Sequence, residues 1–127
     1  MTDLYFEDII GRYFILNLKK TNYRIYVEEA GQGTPLLCLH TAGSDGRQFR
    51  HILNDKRITN NYRVIVFDLP WHGKSNPPEG YELKDYKLTT NLYKEIIMSF
   101  CKQYKLIDPV ITVSYTHLTL PTIRWVL

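Results

Sequence analysis

Two short stretches hold most of the residues that could do chemistry. HTAGSDGRQF (40–49) puts a histidine, then small residues, at the exit of an apolar run, and FDLPWHGKS (67–75) puts Asp68, His72 and Ser75 at the exit of another. In the first, a strand end followed by small residues and a helix start is expected to leave backbone N–H groups near the positive end of that helix, where a developing oxyanion would be stabilised. A tight strand-to-helix turn that needs only small residues accounts for the same letters. In the second, Asp68, Gly73 and Ser75 fall where a chain leaving a buried strand must turn sharply, and capping and turn formation are their ordinary roles there. His40, His51, His72 and His117 lack any paired ligand spacing, so no metal site is expected. Neither G-x-G-x-x-G nor a P-loop lysine pattern occurs, which argues against a nucleotide-binding domain. Cys38 and Cys101 lie in apolar strand-like and helix-like runs and read as buried free thiols, in preference to a disulfide, a zinc ligand or a nucleophile.

The elements that must position these stretches are legible from periodicity. RYFILNLKK (12–20) and YRIYVEEA (23–30) are rich in β-branched and aromatic residues, and KTN between them offers a turn, so they predict a β-hairpin. GQGTP breaks the chain; PLLCLH then reads as a central strand buried on both faces, and RVIVFD (63–68) as a second. Asp45 followed by Gln48 resembles a capping box opening a short helix with Phe49, Ile52 and Leu53 on one face. Apolar residues at Leu88, Leu92, Ile96, Ile97, Phe100, Cys101 and Tyr104 predict an amphipathic helix over 88–104 that Asp108-Pro109 stops, and VITV begins a third buried strand. Hairpin, strand, helix, strand, helix, strand implies an α/β fold, a mixed sheet whose later strands are parallel. Ligands of such sheets sit beyond the carboxyl ends of the strands, where both stretches lie.

The chain has 127 residues, 44% hydrophobic and 23% charged, within the range of one ordinary globular domain. Its net charge of +3 is spread along the chain without a basic stripe, so no nucleic-acid partner is expected and a small-molecule substrate fits better. The acidic start and the lack of a long apolar run argue against a signal peptide or a membrane span, and the expected location is cytoplasmic.

Together the two loops are specific. HTAG, Phe49 on the next helix, and YRVIVFDLPWHGKS, in this order and spacing, resemble the N-terminal half of the α/β-hydrolase superfamily over residues 12–112. The family pattern is His-Gly after the third strand and D-x-x-G-x-G-x-S after the fourth. Here Thr41 stands for the glycine of the first and Trp71 for the first glycine of the second, whereas Gly73 and Ser75 match. The resemblance implies that the Ala42 N–H is an oxyanion-hole donor, that His40 shapes that loop, and that Asp68 and Ser75 are structural and not triad members. It sets Trp71 near the pocket mouth, where the ring could meet substrate or pack on the loop. It implies no cofactor. The parent enzyme it points to attacks an ester or related acyl bond through a serine.

In that family the triad order is Ser, then Asp or Glu, then His, with the serine in a G-x-S-x-G elbow after the fifth strand. Every upstream histidine precedes that point, so none is expected to be the base. After VIT no such elbow follows: Ser114 stands between Val113 and Tyr115, without the glycines that a strained strand-to-helix turn requires. VSYTHLTLPT (113–122) instead resembles the translation of a transposase adapter used in sequencing libraries. The chain is therefore expected to comprise 1–112, the N-terminal part of one α/β-hydrolase domain, and 113–127, a non-native tail in which His117, Arg124 and Trp125 carry no function. Alone it is expected to be inactive. A non-catalytic binding module on the same half-sheet is the alternative, and the genomic sequence past residue 113 discriminates them.

Overall fold

The computed structural model describes residues 4–41, 44–76 and 89–113. Strands β1 (Ile10–Leu18) and β2 (Thr21–Ala30) form the expected hairpin, in unbroken register from Ile10↔Glu29 to Leu18↔Thr21. The turn is Lys19-Lys20, one residue earlier than KTN suggests, and both lysines take positive φ (49° and 64°). Two left-handed residues match the right-handed twist of the strands, a geometry that normally selects Asn and Gly. Lysine hides it from a reading of turn letters.

β3 (Thr34–Leu39) and β4 (Tyr62–Phe67) pair in parallel, and β5 (Val110–Val113) lies parallel on the other side of β3, giving the order β1-β2-β4-β3-β5. The strand alternation sorts the core into two layers. Leu37, Leu39, Ile65 and Phe67 face α3 (Thr90–Gln103) through Ile96, Ile97, Phe100 and Cys101; Cys38, Val64 and Val66 face Phe49 and Leu53 on the opposite side. β3 to β4 steps one way along the sheet and β4 to β5 steps back past β3. Connections of one hand must then lie on opposite faces, as they do.

The helical segments depart from the expected outline. The segment after β3 is a one-turn 3-10 helix (Gly46–Phe49) running into α1 (Arg50–Leu53), followed by α2 (Lys56–Thr59). Asp45 caps it by accepting from the Arg47 N–H, but Gln48 does not close a capping box: its Oε1 accepts from the Thr41 N–H at 2.9 Å. Helix α3 ends before Asp108-Pro109, at Lys105 (φ 60°), where Leu106 N–H reaches Cys101 O and Lys105 N–H reaches Lys102 O. That pair of bonds is a Schellman cap with lysine in the place usually held by glycine. Leu88, at the expected helix start, lies outside the described residues, and Thr89 caps α3 through its side chain.

Candidate functional site

The chain leaves β3 towards one face and β4 towards the other, the arrangement that opens a crevice beyond adjacent strand ends. Three buried polar residues bridge that crevice. His40, 1% exposed, accepts the Leu69 N–H at Nε2 (2.9 Å) and contacts Thr41 O through Nδ1 (2.7 Å). Asp68 accepts the Gly46 N–H at Oδ1 (2.7 Å) and the Lys74 N–H at Oδ2 (2.9 Å), tying the start of the 3-10 helix to the turn after β4. Ser75 donates its hydroxyl to Asp68 O (2.7 Å) and accepts the Tyr26 N–H (2.9 Å), anchoring the same turn to β2.

The glycines follow from Asp68. A Cβ on Gly46 would stand 2.9 Å from Asp68 Oδ1; one on Gly73, whose φ is +51°, would stand 2.3 Å from Oδ2. Trp71 explains the other departure from the family pattern: its φ is +70°, left-handed backbone where glycine costs least. We expect Asp68→Ala to cost about 2–4 kcal/mol, because two N–H groups lose the carboxylate that accepts them, and Asp68→Asn to lose less because one oxygen survives. Urea titration of a folded protein carrying this segment measures the difference; equal losses in the two variants would show that the N–H bonds do not matter.

Three N–H groups at the helix start, where an anion site is expected, are spent inside the fold. The Gly46 and Arg47 N–H groups are consumed by Asp68 and Asp45, and the Gln48 N–H by Asp45 O. Two carboxylates at that helix end oppose an anion. Hydrogen bonds from the Arg47 side chain hold the Asp45 carboxyl down at about 2, so it stays ionised. Thr41 N–H goes to Gln48 and Ser44 N–H to Thr41 O (3.0 Å). Ala42, the implied donor, lies outside the described residues.

Beside Asp68 is a cavity of ≈ 250 Å³ walled by Tyr26, Glu28, Asp45, Arg50, Gly73 and Lys74. Its charges are internally matched, Arg50 to Glu28 at 3.5 Å and Arg47 to Asp45 at 2.8 Å, so it offers no single-signed field. His51 is exposed on α1, and the His72 ring lies 5.2 Å from that of His40. Burial pushes the Cys38 thiol up to about 12 and the Cys101 thiol up to about 11, so neither is a thiolate nucleophile. Among the described residues no His/Cys/Asp/Glu group is placed to hold a metal, and no helix is long and apolar enough to cross a membrane. Ser114, His117, Arg124 and Trp125 lie outside the described residues; Val113 closes β5 opposite Leu39.

A mixed sheet with an N-terminal hairpin, and helices on both faces, defines a partial α/β-hydrolase fold. The chain is similar to the solved N-acyl homoserine lactonase AidH complexed with N-butanoyl homoserine, at 32% identity and TM-score 0.63, over 79% of this chain and 35% of that one. An epoxide hydrolase from Vigna radiata matches at 20% identity and TM-score 0.67 (86% and 33%), and a haloalkane dehalogenase from Agrobacterium tumefaciens at 18% and 0.62 (81% and 32%). These last two share the fold alone. The chain spans about a third of the length of these structures. No family model and no curated protein matches it.

Proposed function

We propose that the chain is the N-terminal part of a longer, cytoplasmic α/β-fold hydrolase that cleaves an ester or related acyl bond of a small molecule through a serine. The observation that carries this reading is the likeness to a lactonase at 32% identity, together with the loop sequences after β3 and β4. A lactone is a cyclic ester, so one chemistry covers both substrates. The nucleophile, the acid and the catalytic histidine are assigned to the part of the enzyme beyond these residues. There a histidine takes the serine proton, the acid orients that histidine, and two N–H groups receive the tetrahedral oxyanion. One of the two is the elbow N–H and the other is that of Ala42. Support for Ala42 comes from its neighbours, since the N–H groups of Thr41 and Ser44 are already bonded inside the fold. No cofactor, nucleic acid or membrane enters the reaction.

The test is to read the gene through residue 113, express the longer protein, and assay an N-acyl homoserine lactone and an activated aryl ester. Hydrolysis with stoichiometric labelling by a serine-directed phosphonate is expected, and failure of both substrates and the label would overturn the reading. The 127-residue chain alone is expected to match a heat-treated control. Turnover by it that vanished on Ser114→Ala would move the nucleophile into this chain.

Trp71 is assigned to the substrate-facing rim. Its half-buried ring sits on a turn held by Asp68 and Ser75, so the ring is presented from a fixed base. Trp71→Ala is expected to raise KM about tenfold, the equivalent of about 1.4 kcal/mol, with kcat little changed. An unchanged KM would assign the ring to loop packing.

A further inference from the structure

We infer that His40 is a proton-sensitive latch: neutral, it clamps the exit of β3 to the exit of β4, and protonated, it lets the two loops part. The argument starts from what each ring nitrogen meets. The Leu69 backbone N–H can only donate, so Nε2 at 2.9 Å must be unprotonated. Thr41 O can only accept, so Nδ1 at 2.7 Å carries the hydrogen. One neutral tautomer satisfies both partners. The imidazolium keeps the Thr41 bond but sets N–H against N–H at Leu69, and both residues are 1% exposed, leaving little access for water to take over.

The groups facing the ring do not rescue the charge. His72, after β4, brings its own imidazole to 5.2 Å and would repel an imidazolium if it too were protonated. Asp68 and Asp45 favour a cation electrostatically, but the Asp68 oxygens are spent on Gly46 and Lys74 and those of Asp45 on Arg47. Burial outweighs both carboxylates and lowers the His40 pKa below its ordinary value. The sign follows: the unfolded chain takes up this proton first, so the stability His40 contributes is complete above about 6.5 and is lost as pH falls towards the lower folded value.

Resting on the hydrolase reading, the latch has a consequence for catalysis. A planar trans peptide points its N–H opposite its C=O. The ring holds Thr41 O together with the Ser44 N–H (3.0 Å), and so constrains the carbonyl side of the peptide that would carry the proposed oxyanion donor. His40 is then a positioning residue: protonated, the ring keeps Thr41 O but loses its anchor on Leu69, so acid frees the loop that carries the donor in addition to protonating the catalytic histidine.

The test joins an imidazole titration to a pH profile in the longer protein. Nitrogen NMR is expected to show the Nδ1–H tautomer at neutral pH, a midpoint below about 6.5, and a Leu69 amide signal that moves with it. With both histidines protonating, kcat should fall about 100-fold per pH unit at the acid extreme, and about tenfold in His40→Gln, which offers Leu69 an acceptor that cannot titrate. His40→Phe should lower kcat on the order of 100-fold at neutral pH with KM little changed. An Nε2–H tautomer, a Leu69 amide indifferent to the titration, or a parental acid slope in His40→Gln would each overturn the latch. If His40→Phe does not fold, His40→Gln still decides. Absence of hydrolysis would sink the hydrolase reading alone, because the NMR titration judges the latch without it.

Discussion

Replacing Ala42 by proline in the proposed longer hydrolase is expected to lower kcat by roughly 100-fold or more, the usual consequence of deleting one oxyanion donor. The expectation rests on counting donors along the loop after β3. Thr41 N–H is spent on Gln48, Ser44 N–H on Thr41 O, and Gly46 and Arg47 N–H on the two aspartates. Those four N–H groups are unavailable to an oxyanion, which is compatible with the proposed assignment of the donor to Ala42. Proline removes the N–H and also restricts the residue before it, so the loop itself could move. Ala42→Gly separates the two effects, because it keeps the N–H while loosening the backbone. If the N–H matters, the glycine variant holds kcat within a few-fold of the parent and the proline variant does not. Should a folded proline variant keep near-parental kcat, Ala42 is not the donor.

What could be read from the letters, and what could not, divides along physical lines. Alternation and apolar runs are local records of which face is buried, so the hairpin, both central strands and the apolar stripe of α3 were all legible before any coordinates. Stops were less so. Lys19, Lys20 and Lys105 occupy left-handed backbone where glycine or asparagine is the usual signal; the hairpin turn accordingly falls one residue before KTN, whereas α3 ends at Gln103, within one residue of the expected Tyr104, on a cap its letters do not announce. Long-range polar bonds left no trace at all. Gln48 looked like the second half of a capping box because its true acceptor role serves Thr41, seven residues back. His40 carried the family signal, yet its tautomer is set by the Leu69 N–H, 29 residues away, which no spacing rule reaches. The same holds for Asp68, whose sequence neighbours announce a turn while its partner Gly46 lies 22 residues upstream. The implied roles of Asp68 and Ser75 as structural groups agree with the geometry, and the Gly46, Arg47 and Gln48 N–H groups at the helix start are spent within the fold.

The 127-residue chain on its own is expected to be aggregated or molten in solution, and the reason lies at the edges of its sheet. β5 pairs with β3 over Leu36–Leu39 and has no described partner on its other side, and Val110 is 47% exposed. An apolar strand with one open row of N–H and C=O groups is a template for pairing with another chain. At the opposite edge β1 exposes Ile10 and Ile15, and Leu4, Tyr5 and Phe6 stand almost fully in solvent just before it. Among the described residues the two-layer core is small: α3 covers one face, and α1, α2 and a single 3-10 turn cover the other. Solved proteins of this fold supply about three times the chain length over the same sheet. Burial stabilises at about 25 cal/mol per Å², whereas ordering each residue costs on the order of 1–2 kcal/mol whether or not its partners are present. Net stability is a small difference between those sums, so a half-covered sheet can lose all of it while strands and helices still form locally. The observable is a state with far-ultraviolet dichroism, dye binding to exposed apolar surface and no cooperative melting. A monomer with a sharp thermal transition and dispersed amide resonances would show that the two layers suffice alone.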